Sequence, residues 1–307
     1  MSKEKKIRRK IRYSLVYRFV QFFIFLSNVL PRITWLKFSG VLGRIAYVFA
    51  SKTRRQVITH LKYAYGSEKT EKEISELAVK VFEYLGKNTG EMLRATRVKN
   101  LAKLEEFLTT YGLENYETAI KKGKGVIFLT CHLGAFDLQV SNMALRGLNP
   151  NIIGTPLKDE RLNELLWDYR NKYGAIAIAR GKETFRLIKV LKSGGSVALL
   201  IDQDTRVKTR FVNFFGKPAA TPVGATVLAM KTGAAVVPTY IYLGSDWKQQ
   251  MHILPEIPMR LTGDEETDMV YNTQVLTEFI EATIRKHPEQ WVWMHRRWRT
   301  KPGEEIS

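Results

Sequence analysis

The sequence predicts an α/β fold, a mixed and largely parallel sheet flanked by helices, with an apolar helical module at the N-terminus. Three observations carry this. Short apolar runs recur at 126–131 (VIFLTC), 151–155, 175–179, 196–201, 236–243 and 251–257. Helical patterns separate several of them, and such alternation is the mark of parallel pairing through crossover helices. The chain has 307 residues, 45% of them hydrophobic, enough for a sizeable core and against disorder.

Residues 1–12, MSKEKKIRRKIR, carry seven basic side chains and one acid. Two apolar stretches follow, 13–30 and 33–50, separated by Pro31. Arg18 and Gln21 interrupt the first, Lys37 and Arg44 the second, and Lys52, Arg54 and Arg55 lie beyond it. A spanning helix needs about 20 consecutive apolar residues. Stretches this short and impure, with basic outer flanks and clustered aromatics, fit a shallow hairpin or an interfacial pair of helices better than a single span. Two ordinary core helices are the alternative. No small-residue cleavage site follows the first run, which argues against a cleaved signal peptide. The expected division is 1–55, a basic N-terminus with membrane-associating helices, and 56–307, an α/β domain.

Within the second part, Ile74, Leu77, Val81, Phe82 and Leu85 have the spacing of an amphipathic helix over 70–93. Residues 101–121 read as one further helix ending at the KKGKG turn. Asp159 is placed to cap a helix over 160–172. Thr184 opens another that closes before Gly194-Gly195, and 223–232 and 268–286 also read as helices. There is no internal repeat and no low-complexity linker.

Lys and Arg number 49 against 30 acidic residues, a formal charge of +19. Partners of such a chain are polyanions: nucleic acid, anionic lipid, a phosphorylated substrate or an acidic carrier protein. A single cysteine excludes an intramolecular disulfide and a zinc site of several thiolates. The GxSxG nucleophile elbow, the GxxxxGK[ST] phosphate loop and the HExxH zinc helix are all missing. The five histidines show no metal-ligand spacing, so neither metal nor cofactor is expected.

The stretch TCHLGAFD, 130–137, remains. His132 and Asp137 are five apart. On one helix they are rotated apart, and on one strand they point to opposite faces. They meet only if a strand ends near Cys131, the chain turns at Leu133-Gly134, and a helix begins near Ala135. Asp137 then sits in the first helical turn, where the helix dipole favours its ionised form. A carboxylate on one imidazole nitrogen fixes the tautomer and raises the basicity of the other, the logic of the hydrolytic triads without their serine. A hydroxyl supplied by the substrate would take the serine's place. Ligands of open α/β sheets bind beyond the carboxyl ends of strands, where this stretch falls. A buried histidine beside a capping aspartate is the plain alternative. Cys131 points away from His132 on a strand and reads as a core residue.

HLGAFD resembles the H-x4-D/E signature of the glycerolipid and lipid A acyltransferases. IDQD (201–204), FFGKPAATPVGATVLAMKTGAAVVP (214–238), HPEQWVWMHRRWRTKP (287–302) and RRQVITHLKYAYG (54–66) resemble further blocks of the late lipid A acyltransferases, with His60 where asparagine is usual there. The likeness runs from about residue 13 to 302. It implies a glycerolipid-acyltransferase-like fold and an enzyme of the lauroyl/myristoyl transferase type, on the cytoplasmic face of the bacterial inner membrane. Acyl carrier protein would be the donor, and an anionic glycolipid, a lipid A precursor, the acceptor, with no role for nucleic acid. By the resemblance His132 is the general base and Asp137 orients it. Arg170 is matched to a substrate or oxyanion contact, with Arg180 as a second candidate. Asp202, Gln203 and Asp204 carry over as substrate-site residues that hold arginines or position the acceptor. Two alternatives stand beside this: an acyltransferase acting on another glycolipid or aminolipid, such as a phosphoinositide mannoside, and a non-catalytic basic protein that binds membrane or nucleic acid.

Overall fold

The computed structural model describes residues 3–179 and 184–304. Four helices come first: α1 (Lys3–Val29), α2 (Arg32–Phe49), α3 (Ser51–Tyr65) and α4 (Glu71–Ala95). Then follow α5 (Leu101–Glu105), β1 (Leu108–Tyr111), α6 (Leu113–Ile120), β2 (Val126–Thr130), α7 (Asp137–Leu145), β3 (Asn151–Gly154), α8 (Glu160–Asn171) and β4 (Ile176–Ala179). The chain continues with α9 (Thr184–Lys192), β5 (Ser196–Leu200), β6 (Thr209–Phe214), β7 (Lys217–Pro222) and α10 (Gly224–Thr232). It ends with β8 (Ala235–Leu243), β9 (Gln249–Ile253), α11 (Glu265–Lys286) and a 3-10 turn, Pro288–Gln290.

Seven strands form one sheet in the order β1-β9-β8-β2-β5-β3-β4, parallel throughout except for the antiparallel β8–β9 pair. β2 lies at its centre and is buried on both faces. Ile127 and Leu129 join the core shared with α3, α4, α9, α10 and α11, and Val126 and Phe128 join the core under α6 and α7. That two-sided burial is why VIFLT reads as an unbroken apolar run. The mixed, largely parallel α/β fold is therefore present as expected.

One local expectation is corrected, and one element is new. Residues 101–121 are not one helix: α5 ends at Glu105, the β-branched and aromatic stretch LTTY pairs with β9 as the sheet's edge strand, and Gly112 at φ 77° turns the chain into α6. Residues 209–222 form an antiparallel hairpin that periodicity did not reveal. Its turn residues Phe215 (φ 55°) and Gly216 (φ 70°) both have the positive φ that a two-residue hairpin turn requires.

The N-terminal helices are joined to the body by close packing and charge. A Cβ on Gly43 would lie 2.1 Å from the Phe82 carbonyl, and one on Gly86 2.1 Å from the Ser39 carbonyl, so α2 and α4 cross with backbones in contact. Arg32 forks onto the buried Glu91 of α4. Arg94 donates to the Ser27 and Leu30 carbonyls at the C-terminus of α1, the negative end of its dipole. On the other side α1 and α2 expose a broad apolar surface. Of the 22 exposed large hydrophobic side chains among the described residues, 13 belong to these two helices. Leu15, Phe19, Phe22 and Val29 keep one stripe on α1, and Phe38, Val41, Ile45 and Val48 one on α2. No helix among the described residues is long and apolar enough to cross a membrane.

Candidate active site

Strand β2 stops at Thr130, where Gln139 Nε2 of α7 donates to the threonine hydroxyl at 2.9 Å. Cys131 is fully buried, and burial pushes its thiol well above the ordinary range, so it is a core residue and no nucleophile. The chain then turns on Gly134, at φ 61°, where a Cβ would lie 2.4 Å from the Ile241 carbonyl. Asp137 opens α7.

His132 is held from three sides. Its Nδ1 is 2.8 Å from Asp202 Oδ1, its backbone N–H donates to Asp202 Oδ2 at 2.8 Å, and its carbonyl accepts from Val292 N–H at 3.2 Å. The Phe136 ring stands edge-on to the imidazole at 4.8 Å. Asp202 is 2% exposed and also accepts from Trp291 Nε1 at 2.8 Å. Burial alone would raise the Asp202 carboxyl, but the facing imidazole and these hydrogen bonds outweigh it and bring it down to about 2. An ionised carboxylate only accepts, so Nδ1 carries the proton and the lone pair of the neutral ring lies on Nε2.

This corrects the pairing expected from spacing. Asp137 makes no hydrogen bond to His132. It takes a fork from Arg170 instead: Oδ1 accepts from Nε at 2.9 Å and from Nη2 at 2.8 Å, and Oδ2 from Nη2 at 3.1 Å. Arg170 reaches it from the last turn of α8, whose N-terminus Asp159 caps by accepting from Leu162 N–H. Gly154 leaves the room: a Cβ there would lie 2.9 Å from Arg170 Nη1.

Asp204 is buried and ties down the C-terminal segment, accepting from Arg299 Nη2 at 3.0 Å, Thr300 N–H at 2.7 Å and Thr300 Oγ1 at 3.0 Å. Gln203 between the two aspartates is half-buried and makes no side-chain hydrogen bond among the described residues. Arg180 lies outside the described residues. No cluster of three His, Cys, Asp or Glu residues suited to a metal occurs among the described residues. Sequence reasoning missed Trp291, which fixes Asp202, and the close pairing of Asp202 with His132. The signal was available in the IDQD block, which follows β5, the parallel neighbour of β2. Thr130 pairs with Leu200, so the same register carried two residues further sets His132 beside Asp202.

Among the described residues, none of the other four histidines has such a carboxylate partner. Burial lowers His60 and His252 below the usual imidazole value, and lowers His287 and His295 to about 4. Between about 4 and the ordinary 6.5 the unfolded chain therefore binds more protons than the native one. Stability falls as pH drops through that window, and below it the loss of the Asp202 contribution adds in the same direction. The thermal unfolding midpoint followed by circular dichroism should fall steadily from pH 7 to pH 4.5, and replacing His287 with glutamine should flatten the slope.

His132 thus stands at the carboxyl edge of a parallel sheet, its tautomer set by the buried Asp202, with the arginine-held Asp137 five residues further on. The family model described as bacterial lipid A biosynthesis acyltransferase matches residues 1–300, and the chain belongs to that family. It is 28% identical to the lipid A biosynthesis acyltransferase of Haemophilus influenzae over 93% of this chain and 88% of that one. It is 27% identical to the lipid A biosynthesis lauroyltransferase of Escherichia coli K12 over 85% and 84%. It is also 27% identical to the phosphatidylinositol mannoside acyltransferase of Mycobacterium tuberculosis, over 61% of this chain and 58% of that one. The protein is thus an acyltransferase, which sets aside the non-catalytic alternative.

Proposed function

We propose that this enzyme transfers a fatty acyl chain from acyl carrier protein to a hydroxyl of a lipid A precursor at the cytoplasmic leaflet, with His132 as general base. The observation that carries the reading is the buried Asp202 on His132 Nδ1, which leaves the Nε2 lone pair free to take a proton. Nε2 removes the proton of the acceptor hydroxyl. The oxygen attacks the thioester carbonyl carbon, a tetrahedral oxyanion forms, the C–S bond breaks, and the imidazolium returns the proton to the departing thiolate. Asp202 carries the orienting role given to Asp137 by sequence, and the Asp137–Arg170 pair presents a fixed cation-carboxylate edge to the acceptor or the developing oxyanion.

Membrane contact by residues 1–55 is supported by the unpartnered apolar stripes of α1 and α2. Each large side chain among them is worth about 1.5–3 kcal/mol when withdrawn from water, so a few suffice to hold the protein on a bilayer. Basic residues beside them favour an anionic leaflet. α1 also reaches the catalytic side of the sheet, where Arg161 of α8 donates to Ser14 and stacks over Tyr17 at 5.0 Å.

The mannoside acyltransferase likeness favours one second reading, a different glycolipid acceptor for the same chemistry. Purified protein on anionic liposomes, given acyl carrier protein charged with a fatty acyl group and either a phosphorylated lipid A precursor or a phosphatidylinositol mannoside, separates the two. Mass spectrometry should show one acyl increment on the precursor. An increment on the mannoside alone moves the assignment to that acceptor, and transfer to neither overturns the donor as well.

A further inference from the structure

Three segments of the chain, 51–66, 205–222 and 290–303, carry four basic residues each and no acid. They are far apart in sequence and meet in space around Trp298. Its ring stands edge-on to His60 at 5.5 Å and to Tyr63 at 5.1 Å, both on α3, and lies 5.7 Å from Phe214 at the end of β6. Gln56 Nε2 donates to the Met294 carbonyl, and His60 Nδ1 to the Trp293 carbonyl at 2.8 Å, which fastens α3 to the C-terminal segment. Lys217, paired with Phe214 across the hairpin, holds its ammonium 5.4 Å from the centre of the Tyr63 ring.

Some of these cations are engaged. Lys62 pairs with Glu71, Arg210 with Glu266 and Arg299 with Asp204, and Arg54 donates to the Tyr47 and Val48 carbonyls at the end of α2. Lys52, Arg55, Arg206, Lys208, Lys217 and Arg296 are exposed and have no carboxylate partner among the described residues. Lys52 and Arg55 share one face of α3 with Tyr63. The result is an aromatic pair, Tyr63 and Trp298, rimmed by cations, which is the composition of a protein interface.

This surface adjoins the base. Val292 N–H donates to the His132 carbonyl, Leu133 and Trp291 form a β-bridge, and Arg299 Nη2 donates to Asp204, two residues beyond the carboxylate on His132 Nδ1. It also differs in kind from α1 and α2. Among the described residues of the three segments Tyr63, 42% exposed, is the one exposed large hydrophobic side chain, against 13 on those two helices. Entry into a bilayer needs apolar side chains. Unpaired cations with so little apolar surface suit a water-soluble acidic protein instead.

We propose that the surface formed by α3, the β6–β7 hairpin and the C-terminal segment docks the acidic acyl carrier protein and so delivers its thioester to His132. The inference rests on that protein being the donor.

The test uses the double variant Lys217→Glu/Arg296→Glu, with Lys217→Gln/Arg296→Gln in its place if the first does not show native circular dichroism. The pair Lys121→Glu/Lys231→Glu, at the opposite, amino end of the sheet, makes the same change in net charge and is the control. Each is given acyl carrier protein charged with a fatty acyl group, or an acyl-pantetheine thioester that bears the same reacting group without the acidic protein. KM for the carrier protein should rise about tenfold, the order for two exposed charge pairs turned repulsive at a few-fold each. The neutral pair should give a smaller rise in the same direction. In either case kcat at saturation, the kinetics with acyl-pantetheine and sedimentation with anionic liposomes should stay as in the wild type. An unmoved carrier-protein KM in folded variants, or an equal rise in the control pair, overturns the inference. So does an equal loss with acyl-pantetheine, and loss of liposome sedimentation alone would make the patch a lipid surface. A wild-type enzyme that accepts acyl-pantetheine but never the charged carrier protein would instead bring down the donor assignment itself.

Discussion

Replacing His132 with glutamine should lower the rate of acyl transfer by about 10²–10⁴-fold, the range that a positioned general base contributes. Glutamine keeps much of the side chain's volume and a polar end for Asp202. The hydrogen bonds from the residue 132 backbone N–H and from Trp291 Nε1 to Asp202 do not depend on the imidazole. The fold should therefore survive, and the loss should appear in kcat. Without Nε2 the acceptor hydroxyl keeps its proton, and an alcohol at neutral pH is a poor nucleophile toward a thioester. Initial rates with saturating acyl donor give the answer. A loss of less than tenfold would mean that the proton leaves by another route.

Asp202→Asn should cost nearly as much, for a different reason. The amide is isosteric, but its NH2 group is able to donate to Nδ1 and so reverse the imidazole tautomer, leaving a proton on Nε2 where the lone pair is needed. We expect kcat to fall about 10²–10⁴-fold with KM changed only a few-fold. Asp137→Asn should behave otherwise. It releases Arg170 from a bidentate pair without touching Nδ1, so the effect should fall mainly on KM for the acceptor. Measuring both variants against both substrates decides which carboxylate orients the base. A larger kcat loss in Asp137→Asn than in Asp202→Asn would return that role to Asp137.

The comparison of these two aspartates also shows how far the sequence was legible. Spacing within TCHLGAFD correctly implied the strand end, the glycine turn and Asp137 in the first helical turn, with the helix expected near Ala135 and found to begin at Asp137, because each depends on local backbone chemistry. It implied the wrong partner for His132, because the nearest carboxylate in sequence is not the nearest across a parallel sheet. Asp202 is 70 residues away in the chain, and only the adjacency of β2 and β5 makes the two neighbours. The parallel strands and crossover helices from 126 onward were readable because they contrast strongly in pattern, whereas the antiparallel hairpin over 209–222 was not. The short edge strand β1 was not, since Leu108–Tyr111 lies between two helical segments with no periodicity of its own. The apolar stretches of α1 and α2 were readable as helices, and the glycines that bring α2 against α4 were unremarkable until a partner helix stood beside them.

Those glycines have a mechanical consequence. Where Gly43 meets the Phe82 carbonyl and Gly86 meets the Ser39 carbonyl, no cushion of side chains lies between the helices to let one slide over the other. A helix pair attached in this way does not swivel against the body. The height at which Nε2 of His132 stands over any surface bearing α1 and α2 is then a fixed dimension of the molecule. On the function proposed above, a hydroxyl far above or below that level would go unmodified however well its sugar fitted.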